Sequence, residues 1–274
     1  MGNSLSAVRV GDLSSYYNPS LIPFQSAPVV SAAYGLLSMD RRLNFISYTK
    51  NLKPDAGLSL SIINTGVGNI QGRDRDAIPT EILSTSENSF ALSFGLRPSP
   101  RFSLGVSAKI LYYSLYKEVR STSVGLDFGF SYLPSDALTV SVVLQDINLK
   151  YKWDTTKIFG KSGNNSTDLF PLRKRLALSY YDAGLRMLVC GEVETIGSNG
   201  LARIGVEWTV TENLSLRGGW DQISLTRSVD SKPSAGFSFS QPFAGWRPTF
   251  EYAFVLEPYV GSGMHLLGLS VRIE

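Results

Sequence analysis

The chain has 274 residues, 43% of them hydrophobic and only 18% charged, with a mean hydropathy of +0.01. That balance excludes a disordered tail, and no apolar run is long enough to cross a membrane as a helix, although a β-barrel hides in such averages because its apolar and polar residues alternate. The net charge of +3 comes from scattered Lys and Arg without the clustered basic face that nucleic acid binding needs, and the one cysteine, Cys190, permits neither an internal disulfide nor a zinc cluster.

The chain opens on MGNSLS, a match to a myristoylation pattern too short to carry weight. No charged region followed by an apolar stretch precedes the first element, so for an exported protein the expectation is that the signal peptide lies outside this sequence. Next comes GDLSSYYNPSLIPF, residues 11–24. Pro19 fixes its own backbone and holds Asn18 extended, and an Asn side chain bonds readily to nearby backbone, so the segment reads as a turn, a strand cap or a plug.

From about Phe24 onward the dominant signal is alternation with period two. In VGLDFGFSYL, Val124, Leu126, Phe128, Phe130 and Tyr132 share one face, while Gly125, Asp127, Gly129 and Ser131 share the other. ALTVSVVLQD, ARIGVEWTV and FEYAFVLE repeat the pattern, and helical spacing explains none of them. Turn signals cut the chain at Ser38–Asp40, Asn51–Asp55, Arg97–Pro100, Pro134–Asp136, Asp182–Gly184, Ser198–Gly200, Thr211–Asn213 and Phe243–Gly245. Longer links cover 67–86, 152–168 and 226–233. The spacing predicts about fourteen strands of roughly ten to fifteen residues, longer than the strands of soluble sandwiches. The fold expected is therefore all-β, an antiparallel up-and-down transmembrane barrel with short turns at one end and long loops at the other.

The two faces carry different chemistry. Tyr112, Tyr113, Tyr116, Tyr151, Trp153, Trp220, Trp246 and Tyr259 fall near strand ends, where an aromatic girdle would meet lipid headgroups. Lys109, Asp127, Glu192, Arg203, Glu207, Arg217, Asp221, Glu251 and Arg272 fall on the opposite phase, a mixed-sign set suited to a wet or salt-bridged lumen. Gly66 and Gly68, closing the third strand, mark a bulge or opening in the wall, because glycine weakens strand pairing. With Gly72 they imitate a phosphate-binding loop only superficially, since no helix follows. The only histidine, His265, shares the apolar phase with Leu267, Leu269 and Val271, which suits a girdle position. No serine, base and orienting group come together as acyl transfer requires, so the expectation is a protein without enzymatic activity, metal or cofactor.

Along nearly its whole length the chain resembles the PorV/PorQ branch of the FadL-type outer-membrane barrels. The match is carried by DLSSYYNPSL against the family's DxxSxxYNPAGL, then by SVGLDFGFSYLPSDALTVSVVLQDINLKY, FPLRKRLALSYY, GEVETIGSNGLARIGVEWTVTENLSLRGGW and the closing FEYAFVLEPYVGSGMHLLGLSVRIE. Ser20 and Leu21 stand where the family has Ala and Gly, and the chain ends in SVRIE without the terminal aromatic usual for outer-membrane assembly. The resemblance implies a monomeric barrel over residues 25–274 in the bacterial outer membrane. Residues 1–24 would fold into its lumen as a hatch, through Asp12, Ser15, Tyr17, Asn18, Pro19 and Ser20. In fatty-acid-transporting members it also implies a lateral opening near an early strand. Two functions follow as expectations. One is passive uptake of a hydrophobic small molecule, with outer-membrane lipids as surroundings. The other is docking of secretion-system proteins at loops such as Arg73–Asp76 and Lys157–Asp168.

Overall fold

The computed structural model describes residues 1–274 apart from Val10, Asp12, Leu13, Arg227, Ser228, Tyr259 and Glu274. The expectations placed on Asp12 and Tyr259 thus lie outside the described residues. A single helical turn, α1 (Ser14–Tyr17), and a 3₁₀ turn over Pro19–Phe24 precede the first strand. The early strands are β1 (Val29–Leu36), β2 (Arg41–Leu52), β3 (Ala56–Val67), β4 (Ile70–Arg73), β5 (Pro79–Leu83), β6 (Ser86–Ser99) and β7 (Phe102–Tyr116). The middle of the chain adds β8 (Val119–Tyr132), β9 (Leu138–Ile147), β10 (Lys150–Asp154), α2 (Thr156–Phe159), β11 (Asn165–Leu169), β12 (Arg173–Asp182) and β13 (Met187–Ile196). It ends with β14 (Asn199–Thr209), β15 (Leu214–Ser224), β16 (Lys232–Ser240), β17 (Trp246–Val255) and β18 (Met264–Ile273).

Fourteen of these strands close into one barrel in the order β1-β18-β17-β16-β15-β14-β13-β12-β9-β8-β7-β6-β3-β2, each antiparallel to its neighbours. The expected up-and-down barrel is the observed one. β4 with β5 and β10 with β11 form separate hairpins within the two longest connections. These connections, 68–85 and 148–172, leave the same end of the barrel as the link 256–263, while short turns such as 53–55 and 100–101 close the other end, where the chain runs into β1. This is the asymmetry of outer-membrane barrels, with long loops outside.

Alternation sets the two surfaces. Along β8 the outward Val124 and Phe128 are 57% and 46% exposed, while the inward Ser121, Ser123, Asp127 and Ser131 are buried. Leu60, Ile62, Leu92, Leu104, Leu176 and Ile204 continue the apolar exterior around the barrel. A closed sheet that turns its large apolar side chains outward is stable only in hydrocarbon, so this is an outer-membrane type of barrel. The interior is narrow and filled by small hydroxyl side chains. Directly paired residues bond to each other across neighbouring strands: Thr49 with Ser59 (2.8 Å), Ser93 with Ser107 (2.6 Å) and Ser131 with Ser141 (2.7 Å).

Three aromatics expected in the girdle lie elsewhere. Tyr113 faces inward on β7 and packs against Tyr151 and Trp153 of β10, which are buried at the loop end of the barrel with Leu111, Val119 and Leu149. β10 leaves the wall and packs on the inner side of β8, so burial against protein, and not lipid headgroups, accounts for these rings. Trp220 and Trp246 do face outward, 47% and 57% exposed.

Candidate functional site: the filled lumen

The N-terminal segment occupies the space that the inward-facing residues enclose. Ser4, Ser6, Ala7, Val8, Asn18, Ser20, Leu21 and Ile22 are all buried. The sequence explains how a chain fits there. Gly57, Gly95, Gly105 and Gly129, from β3, β6, β7 and β8, are direct partners in register and form one row across the inner wall. The turn around Pro19 rests in that row. A Cβ on Gly105 would overlap the backbone of Pro19 and Ser20, one on Gly129 would overlap Asn18 Oδ1, and one on Gly95 would come within 2.6 Å of Pro23. A second seat lies across the lumen, where Gly205 on β14 pairs with Gly219 on β15 and their missing side chains make room for Met1 and Gly2.

Asn18 organises the segment. Its Nδ2 donates to the Ser6 carbonyl at 2.7 Å and to Ser131 Oγ at 3.2 Å, and its Oδ1 accepts from the Ser20 amide at 3.0 Å and the Ser20 hydroxyl at 2.7 Å. One side chain thus ties two parts of the segment to each other and to β8. The extended backbone of Asn18, at φ −157° and ψ 112°, is the conformation that the following proline favours. Ser20 also bonds to Ser131 at 2.7 Å, so a serine at this position adds a wall contact that an alanine could not make. Ser15 accepts from Ser59 at 2.9 Å, Ser179 donates to the Ala7 carbonyl at 2.7 Å, and the Ser6 amide donates to Glu192 at 3.3 Å. The Tyr17 ring stands edge-on to Tyr16, centroids 5.1 Å apart, and burial pushes its hydroxyl well above the ordinary range.

The charges expected in the lumen are joined by pairing. Lys109 contacts Asp127 at 2.7 Å and Asp146 at 2.5 Å. Arg203 pairs with Glu192 (2.9 Å), Asp221 (2.6 Å) and Glu194, while Arg217 bridges Glu207 and Glu251 at 2.5 Å each. Arg272 lies on the inward phase of β18, opposite Val29 and Arg247 in register. Sequence reasoning missed Arg173, Arg175, Glu194 and Asp146, which complete the network. Arg173 reaches Glu194 at 2.5 Å and Asp146 at 4.0 Å, and Arg175 lies 3.5 Å from Glu192 and 3.7 Å from Glu194. The signal was available, because Arg173 and Arg175 share a phase with Ser179, and Glu194 shares one with Glu192. Mutual compensation lets so many ionised groups lie in a filled interior.

Gly66 and Gly68 lie at the loop end of the wall. β2 pairs with β3 through Gly66 without a shift, and β3 pairs with β6 in register as far as Thr65 opposite Glu87. Gly66 lines a cavity of about 240 Å³ with Arg42, Leu43, Val67, Thr85 and Tyr113. Shifts of register within the barrel wall occur between β6 and β7, β7 and β8, β8 and β9, and β14 and β15. His265 faces outward on β18, and its Nδ1 is 2.8 Å from the Tyr252 hydroxyl. Among the described residues no group of His, Cys, Asp and Glu is arranged to hold a metal ion.

No family model matches the chain, and no curated protein matches it. Solved structures do. The toluene transporter TodX of Pseudomonas putida is similar with a TM-score of 0.69 at 11% identity, covering 99% of this chain and 94% of that one. The toluene transporter TbuX of Ralstonia pickettii gives 0.66 at 10% identity over 100% and 98% of the two chains. A FadL homologue from Pseudomonas aeruginosa gives 0.63 at 11% identity over 99% and 95%. At these identities the likeness is one of fold, and the fold is that of the FadL-type barrels. None of these three is a PorV or PorQ protein.

Proposed function

We propose that the protein is a passive uptake channel for small hydrophobic molecules, with residues 1–24 acting as a hatch inside a barrel formed by residues 25–274 of a single chain. The observation that carries this reading is the lumen filled by its own N-terminal segment. That segment is seated on the glycine row and held by Asn18, Ser20 and the wall serines, and the lumen charges around it are paired. Such a barrel gives dissolved ions and sugars no open aqueous path, whereas an apolar solute has the surrounding hydrocarbon as a second phase. The two toluene transporters and the FadL homologue of the same fold support it. The test is uptake of radiolabelled toluene by Gram-negative cells that express the protein, against the same cells without it. Faster uptake is expected. Equal uptake, with the barrel folded in the outer membrane, would overturn the proposal.

A further inference from the structure

The outward face of the barrel turns polar on one side. Ile46, Ile62, Phe90, Ile110 and Val124 are direct partners in register across β2, β3, β6, β7 and β8, and all are exposed on the lipid-facing surface. Two residues nearer the loops, on the same face, the row reads Asn44, Asn64, Asn88, Tyr112 and Thr122, again paired in register. β1 and β17 end differently at the loop side, with Tyr34 and Leu36 on the outward phase of one and Tyr252 and Phe254 on that of the other. The polar row is therefore a patch and not a ring around the barrel.

The three amides form a ladder. Asn44 Nδ2 donates to Asn64 Oδ1 at 3.3 Å, and Asn64 Nδ2 donates to Asn88 Oδ1 at 2.8 Å and to Ser86 Oγ at 3.1 Å. Because these bonds run one way, the ladder leaves Asn44 Oδ1 to accept at one end and Asn88 Nδ2, which has a 3.5 Å contact to Ser86 Oγ, to donate at the other. A hydroxyl group does both, so the ladder suits the hydroxyls of a sugar.

On the loop side of the ladder stand two arginines. Arg42 lies opposite Gly66, and on the far side Arg120 lies opposite Ser114, itself opposite Ser86. Arg42 reaches across β3 to the Thr85 carbonyl at 3.4 Å, and Gly66 gives it the path: a Cβ there would come within 3.3 Å of Arg42 Nε and overlap the Thr85 oxygen. Among the described residues neither arginine meets a carboxylate, and Arg42 Nε is buried without a hydrogen-bond partner. Four strand spacings of about 4.8 Å set the two backbones about 19 Å apart, which leaves room for a headgroup the size of a disaccharide between the guanidinium ends.

An occupant of this patch meets hydrocarbon and polar groups at once, because the apolar row lies directly beneath the amides. A membrane lipid does so by its nature, with acyl chains on the lower row and headgroup on the upper, whereas a soluble partner would have to cover lipid-exposed wall. Arginine forks match phosphate oxygens, and the patch lies on the loop side, at the outer leaflet. We propose that Arg42, Asn44, Asn64, Asn88 and Arg120 bind the headgroup of a phosphorylated glycolipid of the outer leaflet, with phosphates on the arginines and sugar hydroxyls on the amide ladder. The site lies outside the lumen and is independent of the hatch and of what the barrel transports.

The test is native mass spectrometry of the full-length barrel in detergent, offered either bisphosphorylated lipid A or phosphatidylglycerol, an anionic lipid without a saccharide. One lipid A per barrel is expected to stay bound under activation that strips phosphatidylglycerol. Arg42→Gln should lower the retained fraction about tenfold, the worth of one charge-assisted hydrogen bond, and Asn64→Leu about fivefold. Lys174→Gln, which removes an outward cation on β12, should leave it unchanged. All variants are compared as barrels that keep the heat-dependent gel mobility of the folded state, and Arg120→Gln, at the exposed end of the row, supplies the loss of charge if Arg42→Gln does not fold. Equal retention of the two lipids overturns the site, as does retention that the arginine variants leave unchanged or that Lys174→Gln lowers equally. A dimer that Asn64→Leu dissolves, with no lipid A retained, gives the patch to a second copy of the chain and overturns the proposal as well.

Discussion

Replacing Asn18 by Ala is expected to unseat the N-terminal segment while leaving the barrel closed. The four hydrogen bonds of the Asn18 side chain lie in a fully buried site, and alanine leaves at least the Ser6 carbonyl and the Ser20 amide without that partner. A buried group stripped of its partner costs about 1–3 kcal/mol, so a loss of about 3 kcal/mol is a moderate figure for the pair. Since about 1.4 kcal/mol is tenfold in an equilibrium constant, the unseated population should rise roughly a hundredfold. Leu21 and Ile22 remain fully buried and oppose release, each by about 1.5–3 kcal/mol, so opening should be intermittent and not permanent. The assay is single-channel recording in a planar bilayer, where the parent protein should be almost silent and the variant should show brief, large conductance steps. A silent record from a variant that keeps the heat-dependent gel mobility of a folded barrel would refute the reasoning.

Gly105→Val should produce the same conductance by a different route, since its Cβ alone would overlap the backbone of Pro19 and Ser20, and overpacking costs about 1–3 kcal/mol. Gly191→Ala is the matched control, because its Cβ would meet nothing nearer than the Arg203 carbonyl at 3.8 Å. Glu194→Gln removes the carboxylate shared by Arg173, Arg175 and Arg203, and breaking a buried pair in this way costs about 3–5 kcal/mol. The temperature at which the folded gel band disappears should fall, while Lys174→Gln, on the outward phase of β12, should leave it in place. At the loop end, the hydrogen bond from Arg41, together with the charges of Arg41 and Lys232, holds the Glu257 carboxyl below its usual range. A lowered carboxyl pKa stabilises the folded loops above the unfolded value of about 4.3, and that contribution is lost as pH falls through the folded value. Hydrogen exchange in residues 37–40 should therefore accelerate on acidification below about pH 4.3, and Glu257→Gln should abolish that step.

Much of the architecture was legible because its signal is local. Side chains of a strand alternate every second residue, so Val124, Phe128, Asp127 and Ser131 declare their faces from ten residues of sequence, and enough such stretches separated by turns amount to a fourteen-stranded barrel. The same parity placed Lys109, Glu192, Arg203 and Arg217 inside. Their partners were less legible, because Arg175 lies opposite Glu194, and Arg203 opposite Glu192, only once neighbouring strands have chosen their register.

What only the tertiary structure decided is everything that depends on closure. Gly57, Gly95, Gly105 and Gly129 lie far apart along the chain and read as unremarkable small residues, yet sheet register sets them side by side as a seat for the turn at Pro19. Tyr151 and Trp153 alternate like wall residues, but β10 cannot extend the wall because its amides are bound to the inward hydroxyls of Ser121 and Ser123. The sequence by itself determined which side of a strand each residue occupies, since that follows from the geometry of the backbone. Which strand, and which stretch of the N-terminal segment, each residue then meets is a property of the closed ring, where every register is constrained by all the others.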